Sequence, residues 1–83
     1  MNIIVYSTTT CATCHLLTNW LQKQNIAFTK KNTDEDGAVM MEFMDVNEGT
    51  LGVPFTVITD DAGKQTKILG FDQTKFKEAL KIA

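Results

Sequence analysis

A chain of 83 residues with 43% hydrophobic and 22% charged side chains has the composition of one ordinary globular domain, here spanning 1–83, with no room for a second. Ten acids against eight lysines give a net charge of −2, and arginine does not occur; scattered lysines without a guanidinium fork argue against nucleic acid as the main ligand. No apolar run approaches the roughly 20 residues of a membrane-crossing helix, and Met1-Asn2-Ile3-Ile4 lacks a basic n-region, so a cytoplasmic protein with no membrane attachment is expected.

Ile3-Ile4-Val5-Tyr6 is a short, β-rich apolar run without helical period, which predicts a central strand covered on both faces. Ser7-Thr8-Thr9-Thr10 reads as a polar loop, and beyond Cys11 the residues Leu16, Leu17, Trp20 and Leu21 recur at helical spacing to about Gln24. Ile26-Ala27-Phe28-Thr29-Lys30 suggests a second strand, parallel to the first if that helix is the crossover. Thr33 or Asp34 is expected to cap a second helix with the stripe Val39, Met40, Phe43, Met44 and Val46, stopped by Asn47-Glu48-Gly49. Its methionines, Met40, Met41 and Met44, are read as core filler. Phe55–Ile58 and Thr66–Leu69 flank Asp60-Asp61-Ala62-Gly63 as a hairpin. From Asp72 or Gln73, Phe76, Ala79 and Leu80 mark a last helix, with Lys75, Lys77 and Lys81 on its wet side. The order βαβαββα describes an α/β domain, a four-stranded mixed sheet flanked by three helices. Tyr6, Trp20 and Phe28 are read as core aromatics.

Cys11-Ala12-Thr13-Cys14 stands between the first strand and the first helix. The loop that this pair closes is too short to restrain the unfolded chain, so its value is chemical or incidental, and in a chain of this kind such a pair is more often catalytic or metal-binding than structural. The first turn of a helix has unpaired N–H groups and the positive end of the macrodipole, both of which favour a thiolate. Cys11 is therefore the expected nucleophile and Cys14, about one turn on, the resolving cysteine. Ala12 keeps its N–H as a partner for sulfur, and Thr10 borders the nucleophile. Pro54, the only proline, opens the third strand in Gly52-Val53-Pro54-Phe55; taken alone, an X-Pro bond there is expected to be trans.

Ile3–Tyr6, the Cys11–Cys14 motif, Val53-Pro54 before a strand and Gly70-Phe71 before the last helix together resemble the glutaredoxin class of redoxins, and in particular the NrdH-redoxins, hydrogen donors for ribonucleotide reductase. The resemblance spans nearly the whole chain. It implies a thioredoxin fold, a cis bond at Pro54, and a substrate groove in which the backbone of Val53 pairs with the bound chain. It further implies that Thr10, Ala12, Thr13, Gly70, Phe71 and Asp72 border that groove, and that a monomer acts on protein disulfides, such as that of ribonucleotide reductase, without a bound cofactor or metal. Its electrons would come from NADPH through thioredoxin reductase, or from glutathione. Two departures disfavour glutathione. Thr8 stands where glutathione-using members carry a cation for its carboxylate, leaving Lys30 or Lys31 as other sources of charge, and Phe71 replaces the second glycine of a pair.

Three other readings bear on the same residues. With His15 the motif satisfies the C-x-x-C-H pattern of c-type haem attachment, against which stand the β-rich start and a methionine stripe that packing explains. Alternatively, Cys11 and Cys14 form half of an intersubunit zinc or iron–sulfur centre, which needs a dimer or added glutathione. His15 is otherwise an exposed helix residue or a cation that tunes the thiolate.

Overall fold

The N-terminal apolar run forms β1 (Asn2–Ser7), from which the rest of the chain is positioned in the computed structural model, which describes residues 1–81; the last two positions of the expected domain lie outside the described residues. The following elements are α1 (Ala12–Lys23), β2 (Thr29–Asn32), α2 (Gly37–Val46), β3 (Phe55–Thr59), β4 (Gln65–Leu69) and α3 (Gln73–Leu80). The sheet order is β2-β1-β3-β4, with β1 parallel to β2 and antiparallel to β3, and β3 antiparallel to β4. This is the expected thioredoxin-type architecture. Lysines on both edge strands, Lys30 and Lys31 on β2 and Lys67 on β4, discourage pairing with another chain.

Strand periodicity divides the core in two. Ile3 and Val5 of β1, with Ile58 and Ile68, meet Leu17 and Leu21 of α1 and Phe76 of α3 on one face. On the other, Tyr6, Phe55 and Val57 pack with Phe43 of α2. Tyr6 and Phe43 lie with ring centroids 5.5 Å apart, and Phe43 and Phe55 5.8 Å apart.

The second strand begins later than its apolar residues suggest. Asn25 takes a left-handed conformation (φ 58°) and closes α1, with Asn25 N–H donating to Gln22 O and Ile26 N–H to Leu21 O, each at 3.0 Å. Ile26 and Phe28 then pack on the α1 and α3 side of the core, and pairing with β1 starts at Thr29, opposite Ile4. The helix stop takes up Ile26, the first of the apolar residues that suggest a strand.

Helix α2 also departs from expectation. Its cap is Asp36, which accepts from Ala38 N–H at 2.9 Å; neither Thr33 nor Asp34 caps it. Val39, Phe43 and Val46, at spacings of four and three, form the face turned to the sheet, so Met40, Met41 and Met44 are 38, 72 and 54% exposed rather than core filler. One helix against one narrow sheet face buries a single stripe, and the methionines lie off it. Leu16 on α1 is likewise 60% exposed, the buried stripe there being Cys14, Leu17, Thr18 and Leu21.

A polar contact joins β1, β2 and α2. Tyr6 Oη donates to Glu42, and Lys31 Nζ donates to both Glu42 oxygens at 3.0 and 2.8 Å. Burial first, then the Glu42 carboxylate, pushes the Tyr6 hydroxyl pKa well up, so it is a neutral donor. Hydrogen bonds from Lys31 and then Tyr6 hold the Glu42 carboxyl below its usual range.

Phe76 is wholly buried and Met41 is not, so Phe76→Ala is expected to cost about 3–5 kcal/mol of stability and Met41→Ala at most about 0.5 kcal/mol, read from urea unfolding. Because its folded-state pKa is lowered, Glu42 adds stability that is present above its unfolded pKa and lost as pH falls through the folded one. Its side chain is 41% exposed, which keeps the effect small. Thermal midpoints of the parent and Glu42→Gln should therefore converge as pH falls below the carboxylate range; an unchanging gap between neutral pH and about pH 3 would contradict this.

Candidate active site

Helix α1 begins at the cysteine pair because Cys11 is its N-cap, with extended dihedrals (φ −88°, ψ 106°) and a sulfur that accepts from Cys14 N–H at 3.1 Å. The two Cα atoms are 5.2 Å apart and the sulfurs form a disulfide. The residues differ in access: Cys14 is wholly buried, while Cys11 is half-exposed and Ala12 and Thr13 are exposed. One sulfur can meet another molecule, and the other faces the core.

The loop between β1 and α1 is held at both ends. Cys11 N–H donates to Thr8 O at 3.3 Å. Thr9 donates to Asp34 from its N–H at 3.2 and 3.1 Å and from its hydroxyl at 2.6 Å. These bonds, the hydroxyl's first, hold the Asp34 carboxyl below its usual range. Nearby, Thr33 N–H donates to Ser7 O at 2.8 Å, and Ser7 Oγ to Asn32 Oδ1 at 2.6 Å. Thr10 projects no bond into this network and is exposed.

Register brings Val53 and Pro54 to the same end of the sheet, since Phe55 pairs with Tyr6 near the end of β1. The Val53–Pro54 bond is cis. Pro54 is buried, and Val53 packs, partly buried, beside Tyr6 and Phe55. Gly70 N–H donates to Pro54 O at 2.8 Å, in a left-handed conformation (φ 81°) that favours glycine. Gly70 therefore adjoins Pro54, and the two residues after it lead away into α3. Phe71 meets Trp20 at a tilt and Phe76 edge to face (centroids 5.8 and 6.4 Å apart), and Asp72 caps α3 by accepting from Lys75 N–H at 3.2 Å.

His15 is exposed. Trp20 and Phe28 are partly buried against the α1 and α3 side of the core, and Tyr6 is buried on the other. Among the described residues no group of three or more His, Cys, Asp and Glu side chains could hold a metal ion, and no helix is long and apolar enough to cross a membrane.

Two residues near this end of the sheet have places that the sequence does not reveal. Asp34, expected as a possible cap of the second helix, instead bonds Thr9, 25 positions away in the loop that carries the cysteines. Thr56 is wholly buried, and its hydroxyl has no partner among the described residues, a situation that costs about 1–3 kcal/mol. In the sequence it is one more β-branched strand residue.

The glutaredoxin family model matches residues 3–62. Over 82 residues the chain is 28% identical to the SPbeta prophage-derived thioredoxin-like protein YosR of Bacillus subtilis (strain 168), a match covering 98% of this chain and 96% of that protein. Among solved structures it is similar to a mutant of the thioredoxin-like protein BC3987 (TM-score 0.80, 23% identity, 99% of this chain and 97% of that one). It is also similar to the glutaredoxin-like protein NrdH-redoxin from Escherichia coli (TM-score 0.74, 19% identity, 94% and 93%). These structural likenesses speak to the fold, and the family match speaks to descent. With a C-x-x-C pair at disulfide distance where a strand gives way to a helix, the chain belongs to the glutaredoxin family of thiol–disulfide oxidoreductases.

Proposed function

We propose that this protein reduces disulfides of other proteins by dithiol exchange, with Cys11 as nucleophile and Cys14 as resolving cysteine. The observation that carries this reading is the inequality of the two sulfurs: Cys11 is half-exposed at the helix N-cap with the Cys14 N–H directed at it, and Cys14 is buried. Cysteines so placed have pKa values of about 3.5–7.5 against an ordinary value near 8.5, which supplies thiolate at neutral pH. The Cys11 thiolate attacks one sulfur of the substrate disulfide and expels the other as a thiolate. Cys14 then attacks Cys11 Sγ in the mixed disulfide, releasing the reduced substrate and closing the disulfide seen here.

The substrate chain is taken to lie along Val53 and Pro54, pairing with the Val53 backbone, with Thr10, Ala12 and Thr13 on one side and Gly70, Phe71 and Asp72 on the other. Recognition of main chain suits one small monomer to several protein disulfides, ribonucleotide reductase among them. The proposed electron source is NADPH through thioredoxin reductase, in the cytoplasm. Thr8 brings no charge to a glutathione carboxylate, and Lys31 is already engaged with Glu42.

Cys11→Ser should abolish disulfide reduction, and Cys14→Ser should accumulate a mixed disulfide visible by mass spectrometry under non-reducing conditions. A mixed disulfide that accumulates on Cys14 of the Cys11→Ser variant, with none on Cys11 of Cys14→Ser, would reverse the two roles. NADPH consumption should proceed with thioredoxin reductase as sole electron source; turnover only with glutathione and glutathione reductase would replace that donor.

A further inference from the structure

Five polar side chains are buried among the described residues: Ser7, Thr18, Thr33, Asn47 and Thr56. Four have partners. Ser7 donates to Asn32, Thr18 to His15 O and Thr33 to Ser7 O, while Asn47 bonds Met44 Sδ and accepts from Gly49 N–H. The Thr56 hydroxyl has none, although buried hydroxyls are ordinarily bonded.

Its place in the fold indicates what it serves. Phe55 and Val57 face α2, so the alternation of β3 turns Thr56, like Ile58, to the face under α1 and α3. Its register partners are Val5 and Ile68, both core residues of that face. Opposite, α1 buries Cys14, Leu17, Thr18 and Leu21, with Cys14 first in the stripe and nearest the end of β1. Thr56 is the second residue of β3, at that same end of the sheet. The wholly buried cysteine and the unpartnered hydroxyl thus share one end of one buried layer. Ile3, Val5, Leu17, Leu21, Ile58, Ile68 and Phe76 in this layer are apolar; its other buried hydroxyls are committed, that of Thr18 to His15 O and that of Ser7, which the alternation of β1 puts on the same face, to Asn32. The ionisable residues of the surrounding elements, His15 and Lys23 on α1, Lys67 on β4 and Lys75, Lys77 and Glu78 on α3, are exposed or half-exposed.

We propose that Thr56 is the positioning residue of the resolving cysteine: in the reduced protein its hydroxyl donates a hydrogen bond, directly or across one water, to Cys14 Sγ. The inference rests on the disulfide-reductase reading above. In the disulfide the sulfur is a weak neutral acceptor and leaves the hydroxyl idle. Reduction separates the sulfurs and creates a buried thiol whose anion apolar surroundings would otherwise disfavour. In the resolving step the Cys14 thiol gives up its proton and attacks Cys11 Sγ. The Cys11–Cys14 bond forms, the bond from Cys11 to the substrate sulfur breaks, and the departing substrate thiolate takes up a proton, leaving a substrate thiol. Thr56 keeps its own proton throughout and lowers the cost of the thiolate.

Thr56→Val removes the hydroxyl at nearly constant shape and Thr56→Ser retains it; Thr56→Ala is a second hydroxyl-free variant should valine pack poorly. In a Cys11→Ser background, ultraviolet thiolate absorbance reports Cys14 alone, with no substrate or reductase present. Thr56→Val is expected to raise the Cys14 pKa by about one unit, a tenfold loss of thiolate below it. Thr56→Ser should stay within about 0.3 unit of the parent. With Cys11 present, resolution of a preformed mixed disulfide should slow about tenfold near neutral pH in the valine variant, its pH profile moving up with the titration. A Cys14 titration unchanged by both hydroxyl-free variants overturns the proposal, whatever the protein reduces. A titration that moves while no protein disulfide is reduced supports the hydrogen bond and refutes the functional reading instead.

Discussion

β1 is hydrogen-bonded along both edges and covered on both faces, and the places of the cysteines, Pro54 and Gly70 all follow from where that strand ends. Its side chains alternate between two cores: Ile3 and Val5 set the level of α1 and α3, and Ile4 and Tyr6 that of α2. A strand buried on both sides has no freedom to slip, because a shift of one residue would exchange its two faces. The loop that leaves it therefore starts from a defined point, and the helix that follows starts at Cys11.

The asymmetry of the two cysteines is a consequence of this helix start. An N-cap residue stands half outside its helix, so the Cys11 sulfur faces both the first-turn N–H groups and the surroundings. Three residues later the helical repeat returns to the inner face, and Cys14 joins the buried stripe with Leu17 and Leu21. The same spacing that lets the two sulfurs bond also assigns one to the outside and one to the core. A motif of four residues thus acquires two chemically distinct ends from backbone geometry alone.

Polar contacts between elements then tie this end of the sheet together. Asp34 holds the loop before Cys11, Gly70 N–H holds Pro54 O from the far strand, and Glu42 gathers Tyr6 and Lys31 on the opposite face. Individually such exposed or half-exposed bonds contribute little stability. Their effect is to restrict where loops can lie, and it is in loops that the candidate groove is built.

The element order, the hairpin with its Asp60 turn, the Asp72 cap and the position of the cysteine pair are all legible in the sequence, because alternation, helical period, capping chemistry and C-x-x-C spacing act over a few neighbouring residues. The limits of β2, the face of α2 and the company of Asp34 and Thr56 are not. Ile26 and Phe28 have strand-forming side chains but precede β2 and pack on the α1 and α3 side of the core instead, and the Ile26 N–H helps to close α1. Met40 and Met44 sit at helical spacing from apolar neighbours, yet the sheet has room for only the Val39, Phe43 and Val46 stripe. Thr9 and Asp34 are 25 residues apart, and Thr56 lies opposite Val5 only once the sheet has formed. Local chemistry determined which elements form and where the sulfurs stand, whereas the tertiary structure decided which side of each element is buried and which polar groups meet, since those depend on the shape of the surface each element finds opposite it.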